Sequence, residues 1–264
     1  MQALNLSICV VLYESVETTR RFHQALLASL AQCSDFELLY YDNSPGAVLA
    51  NEFEADARPA QRYWHDPRNL GFSYANNALI LQSRYDRVLL LNPDVFGFNG
   101  SFWTRLAASH TGGDIRFVRL LNSDGSFQDC VGEPARLSRA WQRRPDYAAM
   151  TQPTVVGMGI MAFMLTDKSV FARVGLLDAG YPLYAEDMDW CHRASVAGCK
   201  IIFDPRFILT HLGGTSAADR WSHAASIKRK YLAERIFIDR HYRGPYRLAM
   251  QAMNRLKILL RARA

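Results

Sequence analysis

The chain has 264 residues, 49% of them apolar and 21% charged, with a formal net charge of +6, an ordinary soluble globular composition large enough for one well-buried core. No apolar stretch reaches the roughly 18–20 residues that cross a bilayer, and the N-terminus lacks a basic region followed by an apolar core and a cleavage site, so a cytoplasmic location is expected. Cys9, Cys33, Cys130, Cys191 and Cys199 are scattered, without a C-x-x-C pair or zinc-like spacing, which excludes a disulfide framework or zinc site and leaves buried, idle thiols.

In chain order, Leu6 to Leu12 is a β-rich apolar run. Thr18, Phe22, Ala25, Leu26, Ser29 and Leu30 then recur with helical spacing, and Phe36 to Tyr41 is a second strand, completing a βαβ unit. Asn43-Ser44-Pro45-Gly46 is a turn, Tyr63 to His65 a short strand, Phe72 to Gln82 a helix entered from Asn69-Leu70-Gly71, and Arg87 to Leu91 a buried strand. This alternation predicts an α/β fold with a mostly parallel, Rossmann-like sheet and flanking helices, residues 1–110 forming a nucleotide-binding half. Farther on, Asp114 to Leu121 reads as a strand, Asp124-Gly125 as a hairpin turn, and Cys130 to Gln152 as a loop or short helices. Val155 to Leu165 reads as one long central strand, Asp167 to Val174 as a short helix, and Lys200 to Phe203 and Phe207 to His211 as two short strands around Asp204-Pro205. A domain over 1–225, with its second half at 111–225, is followed by a helical tail over 226–264 that Gly244-Pro245 divides in two.

Two acidic clusters carry the chemistry. Asn92-Pro93-Asp94 ends a buried strand, the place where open α/β sheets hold ligands and where an acid can anchor a metal; the same triplet also makes a good turn. Glu186-Asp187-Met188-Asp189 opens a helical pattern, where one carboxylate can serve as a general base or simply meet the positive end of a helix dipole. Asp42 and His211 stand at strand ends, as turn or core residues or as ligand contacts. No Gly-rich turn follows the first strand and no Gly-Lys-Ser phosphate loop occurs, which excludes a dinucleotide oxidoreductase.

Taken in order, Val10-Val11-Leu12-Tyr13, Asp42-Asn43-Ser44, Asn69-Leu70-Gly71-Phe72 with Asn76-Asn77, Leu91-Asn92-Pro93-Asp94, Val174-Gly175 with Asp178, Tyr184-Ala185-Glu186-Asp187-Met188-Asp189, Arg193, Gly198 and His211-Leu212-Gly213-Gly214-Thr215-Ser216 resemble glycosyltransferase family 2. The pattern is most similar to its bacterial rhamnosyltransferase-like branch and runs through about four fifths of the chain. The resemblance implies a GT-A fold and inverting transfer of a sugar, above all L-rhamnose from dTDP-L-rhamnose, to a lipopolysaccharide, O-antigen or similar lipid-linked acceptor. It implies Asp187 as the base with Glu186 beside it, and Asp94 with His211 as ligands for Mg²⁺ or Mn²⁺. Donor contacts are implied for Tyr13, Glu14, Asp42, Asn69, Gly71, Asn77, Asn92 and Asp94, with Asp42 meeting the imide N–H shared by uracil and thymine. Asn92 replaces the first acid of a D-x-D motif, and Tyr13-Glu14 stands where relatives often have Tyr-Asn. The alternatives are a hexosyl- or N-acetylhexosaminyltransferase that uses a UDP-sugar, and a scaffold that binds nucleotide sugar without turnover.

The positive charge belongs to the tail. From Ser226 onward there are eleven Lys or Arg against two acids, net +9, leaving residues 1–225 with 20 basic and 23 acidic groups, net −3. Leu248, Met253, Leu256, Leu259 and Leu260 against Arg247, Arg255, Lys257, Arg261 and Arg263 make a basic amphipathic helix, able to lie on the anionic inner face of the cytoplasmic membrane or to pack on the domain. No nucleic-acid recognition motif accompanies this charge.

Overall fold

The wholly buried residues Ile8, Cys9 and Val10 in the first strand, and Val88, Leu89 and Leu90 in a neighbour, are the continuous apolar runs that a sheet covered on both faces requires. The computed structural model describes residues 2–55, 61–134, 144–181, 183–213 and 223–261. Strand β1 (Gln2–Leu12), helix α1 (Val16–Leu30), β2 (Cys33–Asp42), α2 (Ala50–Ala55), β3 (Gln61–His65), α3 (Phe72–Gln82) and β4 (Arg87–Leu91) form the first half. The second contains β5 (Val95–Phe96), α4 (Gly100–Ser109), β6 (Ile115–Leu121), β7 (Val131–Gly132), β8 (Thr154–Val155), β9 (Met158–Gly159), β10 (Phe163–Asp167), α5 (Lys168–Val174), α6 (Glu186–Val196) and β11 (Ile201–His211). Helices α7 (His223–His241) and α8 (Gly244–Arg261) follow.

One large, mostly parallel sheet has the order β3-β2-β1-β4-β10-β6-β11-β5, with β8 bonded to β11. Strands β2 and β4 run parallel to β1, β3 runs parallel to β2, and β11 runs parallel to β6. Strand β10 is reversed between its neighbours β4 and β6, so those two share a direction, and the short strands β5 and β8 run antiparallel to β11. The carboxyl ends of β1, β2, β3, β4, β6 and β11 therefore lie along one edge. Helix α1 covers the sheet with Phe22, Leu26 and Leu30, the apolar stripe expected from their spacing.

Two expectations need correction. Val155 to Leu165 is not one central strand: β8 bonds to the edge of β11, β9 pairs with β7 in a separate two-stranded sheet, and only β10 enters the main sheet. Gly157 and Gly159 break the run, because a Cβ at Gly159 would collide with the buried Phe117 ring and one at Gly157 with Glu133. Conversely, β11 is continuous through Asp204-Pro205. A shift in register between Asp204 and Ile208 accommodates the proline, and Arg116 Nη1 donates to the buried Asp204 Oδ2 at 2.6 Å.

The Asp124-Gly125 turn forms as expected, with Gly125 at φ +81° and Leu121 bridged to Phe127. All five cysteines are free and buried. No helix among the described residues is long and apolar enough to cross a membrane.

Candidate active site

At the carboxyl edge, the loops after β1 and β2 enclose a cavity of about 380 Å³ lined by Tyr13, Glu14, Asp42, Ser44, Pro45 and Leu49, among others. Glu14 holds a left-handed backbone, φ +53°, and its N–H donates to Ser44 Oγ at 2.7 Å, which joins the two loops. Asp42 is buried; Oδ1 accepts from the Ser44 N–H at 2.8 Å and Oδ2 from the Tyr63 hydroxyl at 2.7 Å. Each carboxylate oxygen keeps a second lone pair, so Asp42 is oriented yet still able to accept from a ligand N–H.

Along the same edge, Asp94 follows β4 and His211 ends β11. His211 Nε2 stands 3.2 Å from Asp94 Oδ1, and the Leu212 N–H donates to the Asp94 carbonyl at 3.0 Å. The other ring nitrogen, Nδ1, is 2.7 Å from Gln128 Oε1. If Nδ1 carries the proton, an imidazole lone pair faces a carboxylate oxygen, an arrangement that calls for a positive charge beside it. A carboxylate oxygen and an imidazole nitrogen suit Mn²⁺, and Mg²⁺ through the oxygen. No group of three or more His, Cys, Asp or Glu that could hold a metal occurs among the described residues. A cation at this pair would therefore complete its shell with water and ligand phosphate.

The second acidic cluster sits on a strained entry. Tyr184 and Ala185 are both left-handed, φ +69° and +65°, at a cost of roughly 1–2 kcal/mol each for non-glycine residues, immediately before α6 begins at Glu186. Glu186 is buried, and its Oε2 has no hydrogen-bond partner among the described residues. Burial pushes its carboxyl well above the usual carboxylate range, and the neighbouring Asp187 charge adds to this. Asp187 is half-buried and also raised by burial, an effect opposed by the Met188 N–H donating to its Oδ1 at 2.7 Å and by the charge of Lys230. Asp189 has a different job: its carboxylate accepts from Tyr181 Oη at 3.1 Å and Arg193 Nε at 2.8 Å, and His241 Nε2 lies 2.7 Å away.

Helix α7 forms part of this wall. Ala233, Phe237 and Ile238 pack with Tyr181 and Ala185, joined by Met250 of α8. Arg240 pairs with Asp178 and lies 4.6 Å over the Tyr181 ring, and Lys230 Nζ is 5.4 Å from the Tyr184 ring centre.

No family model matches the chain. It is 37% identical over 95 residues to the rhamnosyltransferase WbbL of Escherichia coli K12, a match that covers 34% of this chain and only 36% of that protein. It is 28% identical over 260 residues to the N-acetylglucosaminyl-diphospho-decaprenol L-rhamnosyltransferase of Mycobacterium tuberculosis, covering 82% of this chain and 83% of that one. Among solved structures, the mannosyltransferase PcManGT of Pyrobaculum calidifontis with GDP-Man and Mn²⁺ superposes at a TM-score of 0.62 and 12% identity, over 96% of this chain and 69% of that chain. GalNAc-T7 with UDP, GalNAc and Mn²⁺ superposes at 0.58 and 14%, over 78% and 42%. The chain has the GT-A fold of these enzymes and is similar in sequence to the two rhamnosyltransferases.

Within this fold, Tyr13, Glu14 and Asp42 line one cavity, Asp94 and His211 meet, and Glu186 and Asp187 adjoin on α6. Asn92 donates its N–H to the Ala162 carbonyl at 2.9 Å, fastening the turn that carries Asp94. Asn69 is exposed at φ +48°, and Gly71 at φ +91° caps α3. Asn77 takes a different place from the expected donor contact: its Nδ2 donates to the Leu177 carbonyl at 2.8 Å and its Oδ1 accepts the Leu177 N–H at 2.9 Å. The side-chain amide mimics a strand pairing, so Asn77 braces the loop leading toward α6. Gly214, Thr215 and Ser216 lie outside the described residues. Sequence reasoning missed Gln128 and His241; the spacing of Gln128 from the Asp124-Gly125 turn was the available signal for the first, and none marked the second. Asn77→Ala is expected to lower stability by about 1–3 kcal/mol, because it leaves both Leu177 backbone groups without their partner. Urea denaturation reads this, and an unchanged midpoint together with weakened donor binding would return Asn77 to the donor site.

Proposed function

We propose that the chain is an inverting glycosyltransferase that moves a sugar, most simply L-rhamnose from dTDP-L-rhamnose, onto a lipid-linked bacterial surface glycan. The observation that carries this reading is the meeting of Asp94 and His211 at the carboxyl edge, alongside the cavity over Asp42. The kinship with rhamnosyltransferases, one named for a decaprenol-linked acceptor, supports the sugar and the acceptor class.

The pyrimidine occupies the Tyr13–Leu49 cavity, where Asp42 accepts the imide N–H. The donor diphosphate reaches Asp94 and His211. Asp94 and His211 would hold a divalent cation, which would supply charge neutralisation for the leaving diphosphate. Asp187 accepts the proton of the attacking acceptor hydroxyl, and its raised pKa makes it a stronger base than an ordinary carboxylate. Glu186, raised as well, remains protonated beside it, so the pair does not carry two adjacent buried charges. Uracil offers the same imide N–H, so a UDP-sugar is the second reading, and turnover with a panel of dTDP- and UDP-sugars separates the two.

The base must be deprotonated, and its pKa is raised, so kcat/KM falls as pH drops through a midpoint above the region of about 4 where ordinary carboxylates titrate. Asp187→Asn is expected to lower kcat about 10²- to 10⁴-fold while donor affinity stays near wild type. Wild-type turnover in that variant, or an acidic limb at the ordinary carboxylate position, would contradict the assignment.

The exposed Leu248 and Leu256, 62% and 56% accessible, share α8 with exposed Arg255, and Arg243 is exposed just before it. This face suits an anionic bilayer that presents the acceptor. Leu248→Glu with Leu256→Glu is expected to reduce co-sedimentation with anionic vesicles and spare hydrolysis of soluble donor; undiminished sedimentation would remove the membrane role.

A further inference from the structure

A chain of hydrogen bonds leads from His211 along the hairpin after β6. Its far end is Asp124, whose Oδ1 accepts from the Ser126 hydroxyl at 2.6 Å and the Ser126 N–H at 2.9 Å. The Ser126 hydroxyl, followed by its N–H, holds the Asp124 carboxyl below its usual range, so the group is ionised and acts only as an acceptor. With its proton committed to Asp124, Ser126 Oγ must accept, and it does so from Asn122 Nδ2 at 2.9 Å. Asn122 thereby turns Oδ1 toward Gln128, whose Nε2 donates to it at 3.0 Å and to the His211 carbonyl at 3.4 Å. Gln128 Oε1 is then left as the acceptor facing His211 Nδ1, at 2.7 Å. Every amide and hydroxyl along the path has one permitted direction once Asp124 is charged.

A neutral imidazole beside Asp94 alone would place its proton on Nε2 and donate to the carboxylate. The relay imposes the opposite arrangement. Gly213 leaves room for it: an added Cβ there would come within 3.1 Å of Gln128 Nε2, on a backbone at φ +55°. We propose that Gln128 is a positioning residue that fixes His211 as the Nδ1–H tautomer, so that the Nε2 lone pair and Asp94 Oδ1 face one divalent cation together. This rests on the reading of Asp94 and His211 as metal ligands. Partners that orient a ligand imidazole in this way commonly change metal affinity about ten- to a hundredfold when removed.

The test pairs a spectrum with a binding measurement on the full chain. Long-range ¹H–¹⁵N correlation of the His211 ring without metal, at a pH where the imidazole is neutral, is expected to show a protonated Nδ1 in wild type and in Gln128→Glu. In Gln128→Leu the proton is expected on Nε2, and in Ser126→Ala, farther from the site, a mixture of the two tautomers. Calorimetry with Mn²⁺ in the presence of UDP should show about ten- to a hundredfold weaker binding for Gln128→Leu and near wild-type binding for Gln128→Glu. A protonated Nε2 in wild type, or equal Mn²⁺ affinity in wild type and Gln128→Leu, would overturn the proposal. A protonated Nδ1 in wild type with no Mn²⁺ bound would instead overturn the metal reading beneath it. Should Gln128→Leu fail to fold by circular dichroism, the Ser126→Ala spectrum decides alone, and an unmixed Nδ1–H tautomer there counts against the relay.

Discussion

Strand β10 runs antiparallel between β4 and β6, with Phe163 through Asp167 opposite Leu91 through Arg87 on one side and Leu165 opposite Arg116 on the other. Phe163, Met164 and Leu165 are essentially inaccessible, so both faces and both edges of this short strand are satisfied by the rest of the protein. Being reversed itself, it leaves β4 and β6 pointing the same way, and β11 follows β6. Asp94 and His211, distant in sequence, consequently come to the same edge as Glu14 and Asp42. Two backbone bonds fasten the arrangement, Asn92 N–H to the Ala162 carbonyl and Leu212 N–H to the Asp94 carbonyl.

The acidic groups divide by environment. Asp94 and His211 retain some access to solvent, 13% and 11% for their side chains, which the proposed sharing of a cation with a diffusing phosphate requires. At Glu186 and Asp187 desolvation raises both carboxyls, and proton transfer becomes accessible near neutrality. Consecutive left-handed residues at Tyr184 and Ala185 set the start of α6, and α7 supports that strained entry by packing Phe237 and Ile238 there. His241 and Arg240 of α7 reach back to Asp189 and Asp178, so the helix that follows completes the acidic wall. Their contribution there is structural.

Much of this was readable before any coordinates. The apolar runs located β1 through β4 and β6, because buried parallel strands leave few other readings for such runs. Strand ends carrying acids marked the carboxyl edge. The reading failed where a local pattern competes with packing: Val155 to Leu165 is apolar enough for one strand, yet the ring of Phe117 demands a glycine at 159 and each fragment finds a different partner. Asp204-Pro205 suggested a break, but a bulge absorbed the missing N–H within β11. Asn77 illustrates the limit for site residues, since its partner Leu177 is a hundred positions away and pairs through backbone atoms that no side-chain motif records. Gln128 was hidden for the same reason, its meaning set by a chain of directed bonds.

The account depends most on a cation and a nucleotide meeting at this edge. Anomalous diffraction at the manganese edge, from crystals of the full chain soaked with Mn²⁺ and UDP or dTDP, measures that directly. The predicted map has one manganese peak touching Asp94 Oδ1 and His211 Nε2, with the pyrimidine in the cavity over Asp42. An ordered nucleotide with manganese elsewhere, or a base outside that cavity, would contradict it.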